Sequence, residues 1–298
     1  MRVECFALSL GYTPLPARGS DAAICTWGVS MDKYGLRASE TDRRPLVSAA
    51  KKPSLTEYIE VLAEHRRSEW AWSHYKDVLV DLLRIRNGRR IMEIGGGRFP
   101  LFDRSEIAAF DVEYIVNDVN PAELARAPSE VGKVCFDIAS ADTVEIKELA
   151  DTVDLTFSKM VFEHVSDARQ AYQNIYKLLS RRGVCLNFHP VLFSPPFLIN
   201  YLVPAAPAER ILRKISPRRN YDEQPKFPAR YHYCRISSSL QNSLKSIGFR
   251  EVWQLPFWFH EYFNKFPGLQ QCDQTINKIA ERANWTVLAS YCYTIVVK

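Results

Sequence analysis

Patterned cysteine is missing from this 298-residue chain. Its seven cysteines (Cys5, Cys25, Cys135, Cys185, Cys234, Cys272 and Cys292) never form a C-x-x-C pair, and no histidine stands at zinc-ligand spacing from them. That argues against a zinc module and a disulfide-stapled secreted fold, so no metal is expected. The odd, unpatterned count suits a reducing compartment, and Cys135 and Cys185 read as buried thiols in apolar runs. Glycine and proline, at 12 and 17, show no period, which excludes a collagenous or low-complexity chain. A long uninterrupted apolar run is absent too. The most hydrophobic later stretch, Val191 to Ala208, is broken by Pro195, Pro196, Pro204 and Pro207, which argues against a spanning helix. Arg2, Glu4 and a short apolar stretch make a poor signal peptide. The expectation is a soluble, cytoplasmic protein with no transmembrane segment.

Charge of one sign is also scarce. Lys plus Arg number 39 and Asp plus Glu 34, a formal net charge of +5. A dedicated nucleic-acid binder gathers its surplus on one face, whereas most basic residues here are scattered, so no nucleic-acid partner is expected. The one dense run, Arg210, Arg213, Lys214, Arg218 and Arg219, fits a solvated helix end or a steering patch for an anionic substrate or membrane surface. Apolar residues are plentiful: 47% of the chain is hydrophobic and 12% aromatic. That excludes disorder and supplies a core for one large α/β domain or two smaller ones.

Residues 1–50 carry neither a helical nor a strand period and are expected to form a loosely ordered extension. Residues 51–298 then read as one domain. Within 51–88, Leu55, Tyr58, Ile59 and Leu62, then Val78, Leu79, Leu82 and Leu83, recur at helical spacing. Ser54 and Glu57 give a capping-box signal, and Asn87-Gly88 a stop. From 89 to 189 short apolar strands alternate with helices, with strands expected at 90–94, 113–118, 133–137, 153–158 and 183–188. Such alternation implies a parallel sheet with right-handed crossovers. Two further strands are expected at 250–257 and 290–297, and helices at 237–247 and 270–283. Two insertions, 190–235 and 259–287, would leave from the carboxyl edge of the sheet, where open α/β folds bind ligands, and act as a lid.

Chemistry concentrates at Glu93-Ile94-Gly95-Gly96-Gly97, where the first strand ends. Glycines at a strand-to-helix turn admit a ligand close to the backbone. Asp118 closes the next strand 21 residues after Gly97, placed to accept from ribose hydroxyls. Dinucleotide sites favour G-x-G-x-x-G, yet the third place counted from Gly95 is Pro100. A carboxylate directly ahead of the glycines suits a cationic ammonium and would repel a pyrophosphate. The ligand expected is an adenosine joined to an amino acid.

At these residues the chain resembles the class I S-adenosylmethionine-dependent methyltransferases, in a small-molecule branch like types 11 and 12. The resemblance rests on Glu93-Ile94-Gly95-Gly96-Gly97, Asn117-Asp118-Val119, Phe136-Asp137-Ile138, Asp154 to Val165, and Ile175 to Val184, in order and correctly spaced. It implies a Rossmann-like, seven-stranded sheet, mostly parallel with the last strand antiparallel, with helices on both faces. It implies S-adenosyl-L-methionine as cofactor, with 89–189 as its binding core. Glu93 and the backbone of Gly95, Gly96 and Gly97 would hold the methionine part. Asp118 would take the ribose and Val119 the adenine, with Asp137 accepting from the adenine amino group and Ile138 beside the ring. Ser158 and Lys159 would line the cofactor near its sulfonium. Phe99 stands where the family often has another glycine, so the first helix is expected to start differently.

A sulfonium is a positive leaving group and needs no acid on the departing sulfur. It needs an aligned nucleophile, relieved of its proton and shielded from water. His189 at the end of strand five, favoured because the strand end aims it at the site, His164 in the loop after strand four and His232 in the first insertion are the candidate bases; each is also open to a packing role. Both insertions and strand six are rich in aromatics, which fits lid packing as well as stacking on a sugar or ring. The reading is methyl transfer to a small-molecule acceptor, at oxygen, in glycan-related or secondary metabolism. The alternatives are a protein or nucleic-acid methyltransferase and a non-catalytic partner subunit of the same fold; against nucleic acid, Ser158-Lys159-Met160-Val161 replaces an Asn-Pro-Pro-Tyr-like turn.

Overall fold

The computed structural model describes residues 53–203, 228–264 and 266–298. The expected N-terminal extension and the basic run at 210–219 lie outside these residues.

Seven strands form one sheet: β1 (Arg90–Ile94), β2 (Glu113–Asp118), β3 (Gly132–Cys135), β4 (Val153–Lys159), β5 (Leu179–Pro190), β6 (Glu251–Phe257) and β7 (Tyr291–Val297). Their order is β3-β2-β1-β4-β5-β7-β6. β1 to β5 pair in parallel, and β7 lies antiparallel between β5 and β6. This is the expected Rossmann-like methyltransferase sheet. With β6 running the same way as β5, both insertions leave the sheet at its carboxyl edge.

Helices α1 (Leu55–Glu64), α2 (Ser68–Ser73) and α3 (Tyr75–Arg86) precede β1. Ser54 starts α1 with a reciprocal capping box: its hydroxyl accepts from Glu57 N at 3.2 Å, and the Glu57 carboxylate accepts from Ser54 N at 2.6 Å. Asn87, at φ 53°, ends α3 in the left-handed conformation. The break between α1 and α2 has a tertiary cause. Trp258 N donates to Arg66 O at 2.8 Å and Ser68 N to Trp258 O at 3.0 Å, so Arg67 is extended and bridges to Trp258. The helical spacing that runs from Leu55 toward Leu83 therefore folds as three helices.

The N-terminal helices cover one face of the sheet. Phe188 of β5 lies 4.9 Å from Trp72 and 5.6 Å from Tyr75, ring centre to ring centre. The Tyr75 hydroxyl donates to the Ser158 carbonyl at 2.8 Å, pinning α3 to the end of β4. The other face lies under α4 (Ala168–Leu178) and α5 (Ser238–Ile247), which bury Tyr172, Ile175, Leu240 and Leu244. Between them β4, β5 and β7 bury a polar seam: Ser158 donates to Asn187 Oδ1 at 2.8 Å, and His189 Nε2 lies 2.8 Å from the Thr294 hydroxyl.

Two strands, β5 and β3, depart from expectation by more than one residue. β5 begins at Leu179, because Arg182 in the left-handed conformation (φ 74°) and Gly183 absorb an irregularity within the strand. A Cβ on Gly183 would stand 2.9 Å from Ser180 O and 3.0 Å from Val153 O. β3 ends at Cys135, leaving Asp137 in the following loop.

Candidate active site

The carboxyl ends of β1, β2 and β4 meet at the glycine turn. β1 and β2 pair in register, with Ile94 opposite Asn117. The Asn117 carbonyl accepts from Gly95 N at 2.8 Å and Gly96 N at 3.2 Å. Its buried side-chain amide donates to the carbonyls of Val134 and Phe136 at 3.2 and 2.9 Å. One asparagine therefore fixes the turn against β2 and β3. Sequence reasoning counted Asn117 only as part of a motif; its signal was a polar residue inside an apolar strand.

The turn is packed too closely to carry side chains at its glycines. Gly95 and Gly97 have φ of +76° and +51°, where a side chain is strained. A Cβ on Gly95 would stand 2.7 Å from a Val161 methyl, and one on Gly97 3.1 Å from Asp118 Oδ2. Asp118 is partly buried, which raises its pKa, and its Oδ1 accepts from Asn120 N at 2.8 Å. Val119 beside it is 49% exposed, an apolar side chain open at the cleft end of β2. Asp137 is exposed and its Oδ1 accepts from Ala139 N at 2.8 Å. Ile138 is buried, with its carbonyl taken by the Asn174 amide at 2.8 Å.

Glu93 is turned inward. Its Oε2 accepts from Leu101 N at 2.9 Å and from the Tyr114 hydroxyl, so the carboxylate braces the loop that follows the glycines. Burial raises its pKa to about 7, against the opposing pull of the Tyr114 and Leu101 bonds and the more distant Lys159 and Lys76. The Ser158 side chain is buried against Asn187. Lys159 stands at the edge with its ammonium 4.6 Å from the Trp72 ring centre and 5.5 Å from that of Tyr75. Burial lowers its pKa to about 8.

The three histidines do not converge. His189 is a correction to the sequence reading: it is fully buried, with Nδ1 3.0 Å from the Pro190 carbonyl and Nε2 2.8 Å from the Thr294 hydroxyl. With both nitrogens occupied in the core and its pKa driven down to about 4 by burial, it cannot reach an acceptor. His232 is exposed, its Nδ1 2.9 Å from the Ser166 carbonyl, and it ties the returning insertion to the loop after β4. His164, partly buried in that loop, has Nε2 3.9 Å from Glu163 Oε1. The Glu163 carbonyl accepts from Arg230 N at 2.6 Å and Tyr231 N at 3.1 Å, a second tie between the loop and the insertion.

Fold and turn together define an open α/β domain with a glycine turn at the carboxyl edge of its sheet. Residues 94–187 match the family described as "Methyltransferase domain". That core is a class I S-adenosylmethionine-dependent methyltransferase domain of the type 11 branch, and the cofactor is S-adenosylmethionine. No curated protein matches the chain in sequence. Among solved structures, a SAM-dependent methyltransferase from Archaeoglobus fulgidus is 17% identical with a TM-score of 0.46, over 82% of this chain and 100% of that one. Phosphoethanolamine N-methyltransferase 2 of Haemonchus contortus, in complex with S-adenosyl-L-methionine, is 15% identical with a TM-score of 0.42, over 71% of this chain and 49% of that one. The CMeT domain of the citrinin polyketide synthase is 12% identical with a TM-score of 0.47, over 80% of this chain and 56% of that one. Among the described residues no helix is long and apolar enough to cross a membrane.

Proposed function

We propose that this protein methylates a small molecule at oxygen, one from glycan-related or secondary metabolism, working in the cytoplasm. The observation that carries the reading is the glycine turn facing Asp118 and Val119. A backbone with no room for Cβ atoms lies beside a carboxylate and an open apolar side chain, which suits a nucleoside whose tail runs along the turn.

In this reading the Asp118 carboxylate accepts from the ribose hydroxyls and Val119 packs on the adenine. Asp137 accepts from the adenine amino group, with Ile138 behind the ring. The backbone of Gly95, Gly96 and Gly97 lines the methionine part, and Glu93 holds the turn in shape and offers negative charge to the ammonium. Ser158 and Lys159 close the site at β4. When bound, the cofactor supplies an electrophilic methyl on a cationic sulfur. The protein's task is then to align the acceptor and exclude water, which can contribute several kcal/mol without a catalytic side chain. With His189 in the core, His164 and His232 at the loop after β4 are the histidines left to take the acceptor's proton, a step worth on the order of 10²–10⁴-fold for a weakly acidic hydroxyl.

At the same edge aromatic side chains, largely buried, pack on one another. Trp72 and Phe197 each lie 5.5 Å from Tyr291, and Phe197 lies 5.2 Å from Tyr262, so helices and insertions join in one wall. Two experiments test the reading. Calorimetry is expected to show S-adenosylhomocysteine binding that Asp118→Ala abolishes or weakens at least tenfold; binding of NAD in its place would overturn it. Incubation with methyl-labelled cofactor and cell extract is expected to label a low-mass fraction, and label confined to protein or RNA would refute the small-molecule assignment.

A further inference from the structure

Lys159 is a cation held by ring faces. It ends β4 directly after Ser158, with its ammonium against Trp72 of α2 and Tyr75 of α3. An ammonium carries three hydrogen-bond donors, which ring faces satisfy poorly. Among the described residues no carboxylate stands at ion-pair distance, and the charges acting on it are the more distant Glu93 of β1 and Lys76 of α3. Neither is free to move to it. Glu93 is bonded to Leu101 N and the Tyr114 hydroxyl, and Lys76 to both oxygens of Glu106 at 2.9 and 2.8 Å.

We infer that Lys159 holds a carboxylate, that of the methionyl tail of S-adenosylmethionine, with Trp72 as the wall beside it. The inference rests on the methyltransferase reading and deepens it by giving one group of the cofactor a partner. Folding has already stripped much of the water from this ammonium, so a carboxylate arriving there gains a charge-assisted contact at little further desolvation cost. A bare cation at this edge would repel a sulfonium; a carboxylate between the two offsets that repulsion. At neutral pH Lys159 stays mostly protonated even with its pKa lowered to about 8.

Calorimetry with two nucleosides tests this. S-adenosylhomocysteine carries the amino-acid tail, and 5′-methylthioadenosine keeps the adenosine and sulfur without it. In Lys159→Met the first is expected to bind about 10- to 100-fold more weakly, as for loss of a charge-assisted bond. The second should stay within about twofold of the parent protein, since it lacks the carboxylate. Lys159→Gln, a polar variant that guards against misfolding of the first, should behave the same way, and Lys159→Arg should recover part of the loss. Unchanged S-adenosylhomocysteine affinity in both neutral variants, or equal weakening of both nucleosides, overturns the Lys159 assignment alone. If the unaltered protein binds neither nucleoside, the methyltransferase reading falls with it.

Discussion

Replacing Glu93 by glutamine isolates the energetic cost of the buried acid beneath the glycine turn. Folding raises its pKa from 4.5 to about 7, with burial the dominant cause. An acid raised in this way contributes its full stability below pH 4.5 and loses it as the pH climbs through 7, because the folded state holds the proton longer than the unfolded chain. At about 1.4 kcal/mol per pH unit, the whole excursion comes to about 3 kcal/mol. Glutamine does not titrate, and its amide oxygen can still accept from Leu101 N and the Tyr114 hydroxyl. Urea unfolding of both proteins from pH 5 to pH 8 reads the effect as a difference between two curves, which cancels every other titrating group. The parent is expected to lose roughly 2–3 kcal/mol relative to Glu93→Gln across that range. A difference that stays flat with pH would refute the claim that desolvation governs this carboxylate. One that grows in the parent's favour would reverse its sign.

Tyr75→Phe removes the 2.8 Å bond to the Ser158 carbonyl and should cost about 1–3 kcal/mol in thermal or urea unfolding; an unchanged melting curve would show that α3 is not tied to β4 there. His189→Ala should lower stability by about 2–4 kcal/mol with S-adenosylhomocysteine affinity intact in the folded protein. Its neutral imidazole, lowered from 6.5 to about 4, stabilises the parent above pH 6.5. That contribution is lost as the pH falls through 4, so the parent should be more acid-sensitive than the alanine variant.

The features legible in the sequence were those with local causes. Ser54 with Glu57, and Asn87, announced helix ends, the first capping through side chains and the second through a left-handed backbone. Apolar strands bounded by polar turns marked the strand count and the parallel run of the first five, while the antiparallel last strand was implied by the family resemblance. The site's glycines and Asp118 were legible because they lie within about two dozen residues along one strand-turn-strand unit. Partnerships across the fold were not. His189 sits where a strand end would aim it at a ligand, but Thr294, 105 residues on, takes one of its nitrogens. Trp72 meets Lys159 only because α2 and the end of β4 pack together, and nothing near either residue signals it. The kink at Arg67 was hidden for the same reason, its partner Trp258 being distant in the chain.

β7 makes the sheet two structures joined by one seam. β1 to β4 share no ladder with β7, while β6 has, among the described residues, no sheet partner except β7. Loosening Tyr291–Val297 would therefore release β6 and the chain segments anchored at its two ends, with the parallel strands β1 to β5 still paired. On the proposed function, such a molecule would keep its hold on the methyl donor while losing segments that shield it from water.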